Sequence, residues 1–114
     1  MELEYRITEF KGFQTLLLSG ELIDKNQAIN LMHDIDELII AGKNKLVIDL
    51  SDLRYLNSSG LNVLIQLLTK TRTNGGESII CNVGKKVHEL LIITKLNTLF
   101  KIAESKEEAV KLLS

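Results

Sequence analysis

The sequence contains no proline and only one cysteine, Cys81. Without proline, no prolyl isomerisation step can slow folding. A single cysteine excludes an internal disulfide framework and a metal site built from several thiolates. Because Cys81 lies in an apolar run, we predict a buried strand residue and not a reactive thiol.

Strong net charge and long apolar runs are also absent. The formal net charge is −1, so no field of one sign attracts nucleic acid or an anionic membrane. No apolar stretch approaches the roughly 20 residues that span a bilayer. The first residues, with Glu2 and Glu4, do not match a signal peptide. We therefore expect a cytoplasmic protein without membrane insertion.

The residue patterns of common enzyme sites are missing. His33 and His88 stand alone and far apart, without the spacing of metal ligands. Gly75 and Gly76 lack the spacing of a phosphate-binding loop, and no serine lies in a Gly-x-Ser-x-Gly elbow. Asp49 at a strand end suggests a receiver domain, but no acidic pair follows the first strand. We expect no catalysis, no metal and no cofactor.

What is present is a chain of 114 residues, of which 45% are hydrophobic and 25% are charged. This length and composition suffice for one domain with its own core. No repeat, linker or low-complexity segment divides the chain. We predict a single domain over residues 1–114.

Apolar periodicity and capping residues predict alternating strands and helices. Such an order needs crossover connections and so an α/β fold with a mostly parallel sheet of four to five strands and about four helices. A Lys11-Gly12 turn makes the first strand the antiparallel member. The predicted strands cover 4–10, 13–19, 46–50, 77–83 and 100–102, and helices follow the second to fifth strands, the first opened by a capping box at Asp24 and Gln27.

The stretch 46–61 joins the most strand-like run to the start of the most apolar helix. The run 46–50 reads as a central strand buried on both faces, and its carboxyl end is a candidate site. Asn57 then caps the helix, which makes Ser58 its first residue with a hydroxyl facing solvent. Such a hydroxyl can carry a phosphate. The pattern alone leaves plain capping and a functional hydroxyl open, and capping is the more common.

Residues 49–61, DLSDLRYLNSSGL, resemble the signature of STAS domains, specifically of the small single-domain anti-sigma factor antagonists of bacteria. Residues 16–22 and 96–102 resemble two further segments of that family. The resemblance implies a STAS-type fold. It also implies that Ser58, with Ser59 the less favoured choice, is phosphorylated by a partner serine kinase that is itself an anti-sigma factor.

Two positions depart from the family pattern. Asn57 stands where the family usually has aspartate before the phosphorylated serine, so a carboxylate that could help the kinase orient the hydroxyl is absent. Asp24 comes one position later than usual, because Ile23 follows the Gly-Glu-Leu segment. These departures bear on phosphorylation and partner contacts more than on the fold.

The leading hypothesis is a phosphorylation switch. Unmodified, the chain binds the anti-sigma kinase and releases a sigma factor; phosphorylation ends binding and a serine phosphatase restores it. The expected partner-binding residues are Asp24, Arg54, Tyr55, Asn57, Ser58, Ser59, Gly60 and Asn62, with the chain a monomer or weak dimer. One alternative is a non-phosphorylated STAS scaffold or subunit of a transport or signalling complex, and another is a small-ligand or nucleotide binder at the strand ends near Asp49.

Overall fold

The structure is a computed structural model that describes residues 2–114. Its strands and helices occur in the order that the apolar pattern predicts. The described residues form five strands and four α-helices, with short 3₁₀ turns at Lys25–Ala28 and Leu96–Thr98. The strands are β1 (Leu3–Phe10), β2 (Phe13–Leu22), β3 (Lys45–Leu56), β4 (Glu77–Cys81) and β5 (Lys101–Ala103). The helices are α1 (Ile29–Ile40), α2 (Ser58–Thr73), α3 (Lys85–Ile93) and α4 (Lys106–Leu113).

The strands form one sheet in the order β1-β2-β3-β4-β5. β1 and β2 are antiparallel, and the remaining neighbours are parallel. Lys11 and Gly12 both have positive φ, 52° and 86°, as the two-residue turn of a tight hairpin requires. The prediction of a mostly parallel sheet with an antiparallel first strand is confirmed.

The two faces of the sheet are covered differently. Helices α1, α2 and α3 contribute to the larger core on one face, around fully buried Leu16, Ile48 and Leu64. On the other face α4 packs against β3, β4 and β5, so Cys81 lies beside Ala109 in a second apolar cluster. The described part of the chain has no helix long and apolar enough to cross a membrane.

The structure corrects the bounds of three strands. β2 continues beyond residue 19 to Leu22. β3 does not end near residue 50 but continues to Leu56, because Asp52 to Leu56 pair with the end of β2 through two register shifts. The segment 52–56, which lies outside the predicted strand 46–50, is therefore a strand extension that pairs with β2 on one side and not with β4 on the other. β4 ends at Cys81 and not at Val83, since Asn82 has a left-handed φ of 55° that breaks the extended backbone.

Candidate functional site

The carboxyl ends of β2 and β3 and the start of α2 meet at one edge of the sheet. Leu22 and Leu56 are the last residues paired between the two strands. Asn57 follows directly and α2 begins at Ser58. The parallel pairing therefore brings the segment after β2 beside the segment that the sequence singled out.

Asn57 uses both ends of its side-chain amide. Its Oδ1 accepts a hydrogen bond from the Gly60 backbone N–H at 3.0 Å, which caps α2 as predicted. Its Nδ2 donates to the Ile23 carbonyl oxygen at 3.0 Å. The backbone N–H of Asn57 also donates to the Leu22 carbonyl at 3.4 Å. An aspartate could make the cap but, once ionised, could not donate to Ile23.

Ser58 is the first residue of α2, as predicted, and both Ser58 and Ser59 are exposed. No acidic residue lies in the first turn of α2. The first backbone N–H groups of a helix carry a partial positive charge, which tolerates an added anion. The hydroxyl of Ser58 is thus accessible, at a helix end suited to negative charge.

Gly60 has a different role from the one expected of it. Its place among the expected partner-binding residues rests on its missing side chain, which would let a partner approach the backbone closely. Gly60 is instead buried, and a Cβ there would overlap the Leu22 carbonyl oxygen and lie 2.5 Å from Leu56 Cδ1. The close packing of α2 against the end of β2 therefore accounts for this glycine. Leu56 and Leu61 are both core residues.

A cavity of about 390 Å³ lies beside Ser58. One wall comes from the end of β3 and the start of α2, and the other from the first turns of α3. The lining residues are Arg54, Tyr55, Leu56, Asn57, Ser58, Lys86, Val87 and Leu90. Lys85 and Lys86 are both exposed, but Lys86 also lines this cavity and was not among the predicted site residues. The pairing of β3 with β4 places the start of α3 near the start of α2, and no local sequence pattern indicated it.

The other predicted partner-binding residues surround this edge. Asp24 is exposed and caps the 3₁₀ turn, with its Oδ1 accepting from the Asn26 N–H at 3.0 Å. Arg54 and Tyr55 are exposed at the end of β3. Asn62 is exposed on α2, four residues after Ser58 and so on the same side of the helix.

Asp49 lies apart from the cavity and has structural partners. It is 7% exposed, and its Oδ1 accepts from the Ser51 N–H at 2.9 Å and from Asn82 Nδ2 at 3.1 Å. Burial, helped by the nearby Asp49 carboxylate, raises the pKa of the Cys81 thiol to about 12. Within residues 2–114 no group of three or more histidine, cysteine, aspartate or glutamate side chains is placed to hold a metal ion.

Comparison with known proteins agrees with this architecture. The model of the STAS domain family matches residues 5–109. The chain belongs to the STAS domain family. This STAS domain is 30% identical over 111 residues to the anti-sigma F factor antagonist of Paenibacillus polymyxa, covering 96% of this chain and 94% of that protein.

Solved structures share the fold. An anti-sigma factor antagonist from Mycobacterium paratuberculosis superposes with a TM-score of 0.81 at 24% identity, covering 98% of this STAS domain and 94% of that chain. The phosphorylated form of the Bacillus cell fate determinant SpoIIAA gives a TM-score of 0.72 at 17% identity, covering 97% of this chain and 100% of that one. At these identities the likeness establishes the fold.

Proposed function

We propose that this STAS domain is an anti-sigma factor antagonist whose binding is switched by phosphorylation of Ser58. Unmodified, it binds an anti-sigma factor that is also a serine kinase, and the sigma factor is released. The kinase phosphorylates Ser58, binding ends, and a serine phosphatase restores the unmodified form. The observation that carries the proposal is the exposed Ser58 hydroxyl at the start of α2, where β2 and β3 end.

Ser58 is favoured over Ser59 by its surroundings. Both side chains are exposed, but Ser58 lines the cavity beside α3 and Ser59 does not. The hydroxyl of Ser58 therefore lies at a concave site that a partner can enclose. Enclosure by the partner excludes water from the hydroxyl, as a kinase site requires.

The docking face consists of the exposed residues around Ser58. We assign to it Arg54 and Tyr55 from β3, Asn62 from α2, and Asp24 from the neighbouring turn. Tyr55 is 54% exposed, and aromatic residues are enriched at protein interfaces. Gly60 supports this face from inside the domain by allowing α2 to approach β2.

Phosphorylation would act on the interface and not on the fold. A phosphoserine adds a charge of about −1.5 to −2, which the amino end of a helix stabilises. α2 is therefore expected to remain folded after modification. At a face closed against a partner, the same charge must lose its hydration and meet partner groups selected for a neutral hydroxyl, so binding is lost.

Asn57 sets a condition on the kinase. Its amide occupies the position before Ser58 with no charge, and both its polar ends already have partners within the domain. A kinase for this chain would therefore recognise the serine without an adjacent carboxylate.

The fully hydrogen-bonded amide of Asn57 also favours the alternative hypothesis, a STAS scaffold that is not phosphorylated. Capping by Asn57 and packing of Gly60 explain two residues of the segment without any kinase. In that case Ser58 and Ser59 are only exposed residues of the first turn. The STAS domain would then act as an unmodified subunit of a transport or signalling complex.

The deciding experiment combines phosphosite mapping with capture of the partner. The chain is recovered from its native cells for intact mass and site mapping, and tagged wild type, Ser58→Ala, Ser58→Asp and the matched control Ser59→Ala are used in pull-downs. A phosphate on Ser58, with a kinase partner kept by Ser58→Ala and Ser59→Ala but lost by Ser58→Asp, supports the switch. Absence of phosphate in every growth condition, with partners indifferent to all three changes, supports the scaffold.

A further inference from the structure

The cavity beside Ser58 has cations in its lining but no carboxylate. Its ionisable residues are Arg54, Tyr55 and Lys86, and none of the eight lining residues is aspartate or glutamate. Lys86 makes no ion pair with any residue of the described chain, and α3 has no acidic residue in its first turn. A phosphate on Ser58 would therefore be the one anion among the groups that line this cavity.

Ser58 and Lys86 face the cavity from opposite walls, one from α2 and the other from α3. A lysine side chain has a flexible four-carbon stem and a compact ammonium group, so it can turn into the cavity towards a phosphate. Val87 and Leu56, both buried, form the apolar base. A charge pair with an apolar base is less screened by water than a fully exposed pair.

We propose that Lys86 forms an ion pair with the phosphate of Ser58 across this cavity, so that phosphorylation links the start of α2 to the start of α3. The inference rests on the proposed modification of Ser58. Phosphorylation then changes two walls of the docking face together. It adds negative charge on α2 and pairs that charge with the lysine on α3, and the phosphate occupies part of the cavity between them.

Arg54 is the other cation in the lining. Arg54 already takes part in another interaction in the structure. Turning its guanidinium group towards the phosphate would compete with that interaction. Lys86 has no such competitor among the ion pairs of the described residues. The pairing is therefore assigned to Lys86.

The test needs no kinase, because phosphoserine can be incorporated at position 58 by genetic code expansion. Phosphorus NMR follows the second ionisation of the phosphate in the wild-type background, in Lys86→Gln, in Arg54→Gln and in the matched control Lys85→Gln. Lys85 is the exposed neighbour that does not line the cavity. Urea unfolding of the four chains checks that each is folded.

A cation beside the phosphate favours its dianion and lowers the titration midpoint. We expect Lys86→Gln to raise the midpoint by roughly half a pH unit, the scale of a partly exposed ion pair, and Lys85→Gln to leave it within about a tenth of a unit. The difference in titration midpoint between Lys86→Gln and the wild-type background should shrink at about 1 M salt, where the screening length is roughly 3 Å.

Equal midpoints for Lys86→Gln and Lys85→Gln would overturn the inference, as would a shift caused by Arg54→Gln alone. Neither result would bear on whether a kinase modifies Ser58. Conversely, if no phosphate is found on Ser58 in native cells, the proposed function fails while the NMR result still reports the Lys86 contact. The two failures are thus distinguishable.

Discussion

At position 57, the Ile23 carbonyl oxygen needs a hydrogen-bond donor, and so it favours the amide of asparagine over the carboxylate of aspartate. The Asn57 side chain accepts from Gly60 and donates to Ile23, both at 3.0 Å. Aspartate keeps the cap, because both residue types are good helix caps, but it loses the donor and sets a charged oxygen against the carbonyl. The amide therefore holds the turn after β2 to the start of α2.

We predict that Asn57→Asp lowers the free energy of unfolding by up to about 1 kcal/mol at neutral pH, the scale of one hydrogen bond, because the new charge at the amino end of α2 offsets only part of the loss. Asn57→Ala should lose roughly 1–2 kcal/mol because the cap is lost as well. Urea unfolding measures both. The deficit of Asn57→Asp should shrink in acid, where a protonated carboxyl can donate, and a deficit that is absent or independent of pH would contradict this role of Ile23.

Gly60 allows a second test at the residue scale, with Gly84 as its control. A Cβ at Gly60 would overlap the backbone of Leu22, whereas a Cβ at Gly84 meets nothing within 4 Å. We predict that Gly60→Ala costs about 1–3 kcal/mol of stability despite the better helix propensity of alanine, and Gly84→Ala less than about 1 kcal/mol. Thermal or urea unfolding distinguishes them, and equal effects would count against the close approach of α2 to β2.

At the scale of elements, Arg72 links three segments. Its Nε donates to Glu77 Oε1 at 2.8 Å and a terminal nitrogen donates to the Leu99 carbonyl at 3.0 Å. The end of α2 is thereby tied to the start of β4 and to the turn before β5. Burial alone would raise the pKa of Glu77, but hydrogen bonds from Arg72 and the Ser78 N–H, with the charges of Arg72 and Lys101, hold this pKa below its ordinary value of 4.5.

We predict that Arg72→Gln lowers stability by about 1 kcal/mol at pH 7, a value limited by the partial exposure of the pair. Because the folded-state pKa of Glu77 is lowered, the stabilisation is present above the unfolded pKa and is lost as the pH falls through the folded-state value. The difference in the free energy of unfolding between wild type and Arg72→Gln should therefore become smaller below about pH 4. Urea unfolding from pH 3 to pH 7 measures it, and a difference constant with pH would exclude Glu77 as the partner that matters.

Local sequence patterns were sufficient to predict most strands and helices, and to predict Ser58 as the first residue of α2. The capping oxygen of Asn57 and the apolar spacing after it lie in adjacent sequence, so the start of α2 was predictable from residues 57–68. β3 was predicted too short, because its extension depends on pairing with β2 and its residues 51 and 52 are polar. The donation from Asn57 to Ile23 and the position of Lys86 depend on which strands are neighbours, and no local pattern in the sequence records that.

At the scale of the molecule, Cys81 reports on opening of the fold. It is the one cysteine of the chain, it is fully buried between the sheet and α4, and burial raises its pKa to about 12. Thiolate is the reactive form, so labelling requires the domain to open. When opening and closing are fast compared with labelling, the labelling rate follows the open population.

This reporter tests whether negative charge at Ser58 acts on the interface or on the fold. An anion in the first turn of a helix is stabilising by about 0.3–1 kcal/mol. We therefore predict that Ser58→Asp labels at Cys81 no faster than wild type at pH 8, whereas Gly60→Ala labels faster by tenfold for each 1.4 kcal/mol that it loses. Labelling is measured with a thiol reagent and intact mass. If Ser58→Asp labels as fast as Gly60→Ala, loss of a partner in that variant reflects unfolding, and the switch by repulsion at a folded interface is wrong.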